Sequence, residues 1–178
     1  MGRPILFCQL RPGRDGVPFL VRKFRTMRND PDAVDDPSKD GRRLTWLGNL
    51  LRRTSIDELP ELFNIIGGSM SFVGPRPLLM SYLERYDESQ RRRHDVLPGL
   101  TGWAQIHGRN ATTWEERFSH DLWYVDNWTL MLDLRILWNT VGAVLRQDGV
   151  NQVGHVSMPA FSGSNPPVAS GTSRELGA

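Results

Sequence analysis

Asp57 and Glu58 are adjacent carboxylates set a few residues behind an arginine pair, Arg52-Arg53. Neighbouring carboxylates can divide labour between holding a metal and attacking an electrophile, and flanking arginines suit a phosphorylated substrate. The same spacing also fits a capped, solvated helix start. Thr54 or Ser55 would then be the N-cap, with both acids in a first turn facing the positive helix end. A second candidate follows at Gly74-Pro75-Arg76-Pro77. Prolines on both sides of Arg76 stiffen the backbone, so its guanidinium would lose less entropy on gripping a phosphate or a uracil carbonyl. The plainer alternative is a helix-breaking turn with a surface arginine.

Composition narrows the classes. A chain of 178 residues, 39% hydrophobic and 24% charged, is long enough for one domain with its own core. Cys8 is the single cysteine, which excludes an intrachain disulfide and a Cys-rich metal site. His94, His107, His120 and His155 lack ligand spacing. The net charge of +2 hides an asymmetry, with twelve Lys/Arg against six Asp/Glu up to Arg53 and an acidic excess after it. A basic N-terminal part suits anionic partners, whether nucleic acid, phosphorylated ligands or an acidic membrane surface. No nucleic-acid motif accompanies it, so no nucleic-acid partner is expected. P-loop, Rossmann, HExxH and GxSxG motifs are missing too. No apolar run approaches the roughly 18 residues of a membrane span, and no signal peptide is visible.

The elements that must position these residues are partly legible. Apolar runs at 7–10 and 19–24, joined by Arg11-Pro12-Gly13-Arg14-Asp15-Gly16, predict a β-hairpin. Residues 29–43 read as a polar loop. Leu44–Leu51 has helical spacing between arginine pairs and suits either a membrane interface or a core-facing helix. A helix is expected near the dyad, carrying Leu59, Leu62, Phe63 and Ile66 on one face and ending at Gly67-Gly68. Leu78–His94 reads as an amphipathic helix whose Arg91-Arg92-Arg93 end is solvated. Pro98–Asn110 reads as loop, because its glycines disfavour a helix. Thr113 and Glu116 have capping-box spacing, and Leu130–Leu145 predicts a buried or interfacial helix. Residues 162–178, rich in Gly, Ser, Pro and Ala, read as a disordered tail.

Several segments occur in one order: Arg11-Pro12-Gly13, Lys23-Phe24-Arg25-Thr26-Met27, Ser55 to Asn64, Met70 to Leu79, Pro98 to Gln105 and Gly108-Arg109-Asn110. In these the chain resembles the bacterial sugar transferase family, the monotopic polyprenyl-phosphate phosphoglycosyl transferases, over residues 4–161. The ending Gly154-His155-Val156 is most similar to the small, single-domain PglC-type members.

The resemblance implies a helix-rich α+β catalytic domain over 1–161, with a small β-hairpin and amphipathic interfacial helices. The family's N-terminal re-entrant membrane helix would precede Met1-Gly2-Arg3-Pro4, so by the resemblance it is expected to be absent, whether by truncation, by a misassigned start, or because this member docks by interfacial helices alone. It implies transfer of a phospho-sugar from a UDP-sugar to polyprenyl (undecaprenyl) phosphate, releasing UMP. This would be the first membrane step of glycoconjugate biosynthesis, at the cytoplasmic face of the bacterial inner membrane, with the protein peripheral or monotopic there. By motif match Asp57 would be the nucleophile, forming a covalent phospho-sugar intermediate, and Glu58 would help Asp57 hold Mg²⁺. Arg52 and Arg76 match phosphate- and nucleotide-binding positions. Asp121, Asp133 and Arg109 match polar positions around the site. Two rival functions use the same residues: a metal-dependent enzyme acting on soluble nucleotide sugars, and a non-catalytic membrane-surface adaptor. The sugar and the oligomeric state are not legible.

Overall fold

A computed structural model describes residues 3–28, 43–107, 113–146 and 160–163. The expected hairpin is present. Strands β1 (Leu6–Pro12) and β2 (Pro18–Phe24) pair antiparallel from Leu6 opposite Phe24 to Pro12 opposite Pro18. Asp15 takes a left-handed conformation in the turn, with φ 56°, which a short polar side chain tolerates.

Helix α1 (Trp46–Arg53) is capped by Thr45, whose side chain accepts from the Gly48 amide at 2.9 Å. Gly48 faces the chain after β2 so closely that a Cβ there would lie 2.0 Å from the Thr26 carbonyl oxygen. That contact turns the other face outward: Trp46, Leu47 and Leu50 are exposed, so the helix is not core-facing.

The helix expected near the dyad is divided. Ser55 sits at φ 56° and makes no side-chain cap, a 3₁₀ segment runs Ile56–Glu61, and α2 (Leu62–Ile66) completes it. The Thr54 hydroxyl instead donates back to Leu50 and Leu51 carbonyls. The capped-helix account of Asp57 and Glu58 therefore fails in its detail, because neither hydroxyl reaches forward. Leu59, Phe63 and Ile66 are exposed, while Asn64 anchors the segment to β2 through the Leu20 carbonyl at 2.8 Å.

Strand β3 (Ser71–Val73) pairs parallel with β4 (Gly99–Thr101). The chains cross tightly after β3, where a Cβ on Gly74 would stand 2.3 Å from the Leu97 carbonyl. The single helix expected over Leu78–His94 is broken into a 3₁₀ turn at Met80–Arg85, a short α3 (Glu88–Arg91) and a second turn at Arg92–His94. Asp87 causes the break: it and Gln90 form a reciprocal capping box that restarts the helix. The Pro98–Asn110 stretch, expected as loop, contributes β4 and α4 (Trp103–His107). Helix α5 (Trp114–Asn127) has the expected Thr113–Glu116 capping box, and α6 (Leu130–Arg146) follows.

The architecture is α+β: a small hairpin and a two-stranded parallel pair among helices. Tyr82, Tyr86, Phe118 and Phe161 make one apolar cluster with Leu78, and Val73, Tyr124 and Ile136 make a second. No helix among the described residues is long and apolar enough to cross a membrane. The polar loop at 29–42, Arg109 and its neighbours, and 164–178 of the expected tail lie outside the described residues.

Candidate functional site

The dyad lies on the 3₁₀ segment, packed against β2 and facing the loop after β3. Glu58 Oε1 receives two cations: Lys23 Nζ of β2 at 2.8 Å and the Arg76 guanidinium from the Gly-Pro-Arg-Pro loop. Lys23 also reaches Glu61 Oε1 at 2.9 Å, so one ammonium joins two carboxylates. Arg52 Nε donates to Thr26 Oγ1 at 3.0 Å, which fixes the arginine beside the end of β2. The first-turn acids thus sit in a built ionic cluster and not on a solvated helix end.

The two carboxylates differ electrostatically. Burial would raise Glu58, but the Arg76 and Lys23 charges and hydrogen bonds dominate and hold it far below the usual carboxylate range. Asp57 is only 9% exposed and makes no hydrogen bond or ion pair among the described residues. Burial, and then the neighbouring Glu58 charge, push its pKa up to about 6, against the pull of Lys23, Arg52 and Arg76. Burial also raises Glu61. One carboxylate is locked ionised, and its neighbour is a basic oxygen donor, unpaired among the described residues.

Asp57 and Glu58 Oε2, the latter without a hydrogen bond among the described residues, are adjacent hard oxygen donors. Mg²⁺-like ions characteristically take one or two carboxylates and finish their coordination with phosphate oxygens and water. The pair fits such an ion. No group of three or more metal-type side chains exists among the described residues, so phosphate would have to complete the shell.

Behind Arg76 lies a buried support. Arg93 Nη2 donates to the Arg76 carbonyl at 2.8 Å, and its Nε and Nη2 reach Asp121 Oδ2 at 3.1 and 2.7 Å. The Arg93 and Asp121 side chains are 1% and 2% exposed. Asp121, expected around the substrate, therefore faces Arg93 in the interior. Asp133 is also engaged internally, accepting from Tyr124 Oη at 2.8 Å and Trp128 Nε1 at 3.1 Å. Tyr124 Oη also lies 3.3 Å from the Val73 carbonyl, one residue before the Arg76 loop begins. Asp121 thus braces that loop through Arg93, while Asp133 is engaged by Tyr124 and Trp128. Arg109 lies outside the described residues.

Sequence reasoning missed Lys23, Glu61 and Arg93. The first two stand inside segments already singled out, but nothing local marks a lysine on a strand as the bridge between two acids. Arg93 read as a solvated helix end because the Asp87 break, which turns it inward, was not anticipated. Arg11, on β1, is a further, half-buried cation, its pKa lowered to about 10 by burial and by the Arg76 charge.

Residues 1–147 match the family model described as bacterial sugar transferase. The chain belongs to the bacterial sugar transferase family. It is 54% identical over 164 residues to a sugar transferase of Bacillus subtilis named EpsL, covering 92% of this chain and 81% of that protein. An undecaprenyl-phosphate galactose phosphotransferase of Salmonella typhimurium is 41% identical over 165 residues, 83% of this chain and 35% of its own length. A UDP-glucose:undecaprenyl-phosphate glucose-1-phosphate transferase of Escherichia coli is 42% identical over 148 residues, 78% of this chain and 32% of its own. The chain thus spans about a third of these two sugar transferases, whose names state a reaction.

Proposed function

We propose that this chain transfers a phospho-sugar from a UDP-sugar to polyprenyl (undecaprenyl) phosphate. The observation that carries the reading is the asymmetric dyad: a basic Asp57, unpaired among the described residues, beside a Glu58 pinned by Lys23 and Arg76. The printed names of the Salmonella and Escherichia coli relatives support the same reaction class.

In this reading an Asp57 carboxylate oxygen attacks the sugar-bearing phosphorus. The bond from that phosphorus to the bridging oxygen breaks, and UMP leaves with the oxygen and its electron pair. The resulting acyl phosphate is attacked by a phosphate oxygen of the lipid, which frees Asp57 and gives the polyprenyl-diphosphate sugar. Arg52 and Arg76 face the phosphates, and Lys23 and Arg76 keep Glu58 ionised and oriented. Asp57 and Glu58 would hold Mg²⁺, which supplies charge screening between carboxylate and diphosphate. Asp121 keeps the Arg76 loop in place through Arg93, and Asp133 orients Tyr124.

The test is UMP release from a panel of UDP-sugars with Mg²⁺, with and without polyprenyl phosphate. Acceptor-dependent turnover on at least one sugar is expected. Steady turnover without lipid would make the chain a hydrolase of soluble nucleotide sugars instead.

The raised Asp57 pKa gives a signed prediction. The nucleophile must be ionised, so kcat/KM rises with pH up to about 6 and then levels. Arg52→Gln removes a charge that lowers the Asp57 pKa, and this limb moves to higher pH. A profile flat between pH 5 and 7 would contradict the assignment. Stability runs the other way. A carboxyl raised from 3.8 contributes fully below about pH 4, and this contribution is lost as pH rises through about 6.

The apolar surface points to a membrane face. Trp46 on α1 and Trp138 on α6 are 82% and 80% exposed, with Leu50, Leu130, Met131 and Leu134 also uncovered. We assign these faces to the cytoplasmic leaflet of the inner membrane, where Trp rings sit at headgroup depth and the exposed Arg53 at the end of α1 meets lipid phosphate. Trp46→Glu with Trp138→Glu is expected to lower binding to anionic phospholipid vesicles at least about tenfold, from lost apolar burial. Unchanged sedimentation with vesicles would contradict this placement.

A further inference from the structure

Phe161 lies far along the chain from the dyad, yet its contacts lead back to it. The ring is 2% exposed and fills the centre of an aromatic box. It packs edge-on to Phe118 at 5.0 Å between centroids, stacks on Tyr86 at 5.9 Å, and meets Tyr82 and Trp114 at 5.6 Å. Its backbone is held as firmly: the amide donates to Tyr82 Oη at 3.0 Å and the carbonyl accepts from the Arg85 guanidinium.

Two walls of that box, Tyr86 and Phe118, are also the platform for Arg93, whose guanidinium carbon lies 5.8 Å from each ring centroid. Arg93 Nη1 reaches Tyr86 Oη at 3.3 Å, and the remaining donors go to Asp121 and the Arg76 carbonyl. Arg76 sits between two prolines, which lack backbone N–H donors; the Gly99 amide donates to the Pro75 carbonyl at 3.1 Å, and Arg93 holds the next carbonyl, that of Arg76. Arg93 is thus the side-chain anchor of the loop beside that backbone bond, and the Arg76 side chain grips Glu58.

We propose that Phe161 is a remote positioning residue for phospho-sugar transfer, holding Arg93 in place and, through it, the Arg76 loop. The inference rests on the function proposed above. It assigns the last described segment a role beyond closing the core. A smaller side chain at 161 lets Tyr86 and Phe118 relax into the space, tilts the Arg93 platform and displaces the Arg76 carbonyl. Misplacement of a binding group by a fraction of an ångström lowers rate more than stability.

Full-length Phe161→Leu, Arg93→Lys and the double variant test this in the lipid-dependent UMP-release assay. Phe161→Met, closer in volume, is the gentler second variant. Phe161→Leu is expected to lower kcat about tenfold, Phe161→Met less, with both chains folded at the assay temperature. Both are expected to show the same kcat-against-KM split as Arg93→Lys, a shared signature that simple loosening of the core would not cause. In the Arg93→Lys background Phe161→Leu adds no further loss, since the two act in series. Multiplying losses, or a kcat-against-KM split unlike that of Arg93→Lys, would overturn the inference while leaving the proposed function standing. A wild-type chain inert on every UDP-sugar would overturn both.

Discussion

Asp57→Asn is expected to lower UMP release by at least about a thousandfold, the scale of losing a covalent nucleophile. The substitution is nearly isosteric, so positioning by Glu58, Lys23 and Arg76 survives while the attacking oxygen is lost. At pH 8 the same variant is expected to be more stable than the wild type. The wild-type chain keeps an ionised carboxylate in a site where burial disfavours the charge, and the amide removes that charge. Activity and stability moving in opposite directions distinguish a functional carboxylate from a structural one. Denaturant unfolding beside the UMP assay checks both halves. A variant that kept its rate, or lost stability at pH 8, would contradict the assignment.

Asp121→Ala has the largest expected effect on the fold. Arg93 and Asp121 form an almost fully buried ion pair, and deleting one member leaves an uncompensated charge in the interior. Such deletions cost about 3–5 kcal/mol, a large share of a domain's total stability. The denaturant midpoint should fall accordingly, and the Arg76 loop should loosen with it. Asp121→Asn, which can still accept from Arg93, is expected to lose less. A midpoint unchanged in Asp121→Ala would show that the pair is not holding the loop.

The local chemistry was more legible than its supports. Turn residues between two apolar runs located the hairpin, and Thr113 with Glu116 located the start of α5, because both signals act over four or five residues. The dyad and Arg76 stood out for the same reason. What the local reading could not reach was pairing over distance: Lys23 to Glu58, 35 residues apart, and Arg93 to Asp121, 28 apart. Asp121 and Asp133 were expected around the substrate, but each carboxylate meets a buried or partly buried donor that only the packed helices bring to it. The long helix expected over Leu78–His94 failed because periodicity is blind to the Asp87 cap, and that break is what turns Arg93 inward. The exposed face of α1 was open to two readings until Gly48, pressed against Thr26, decided which side points inward.

The most direct measurement is the mass of the protein itself. Incubated with a turned-over UDP-sugar and Mg²⁺ but no lipid, the wild-type chain should gain one sugar-phosphate group. That mass should map to the peptide containing Asp57 and disappear on adding polyprenyl phosphate, with no gain in Asp57→Asn. An active enzyme that never carries the added mass, or carries it on another residue, would contradict the account.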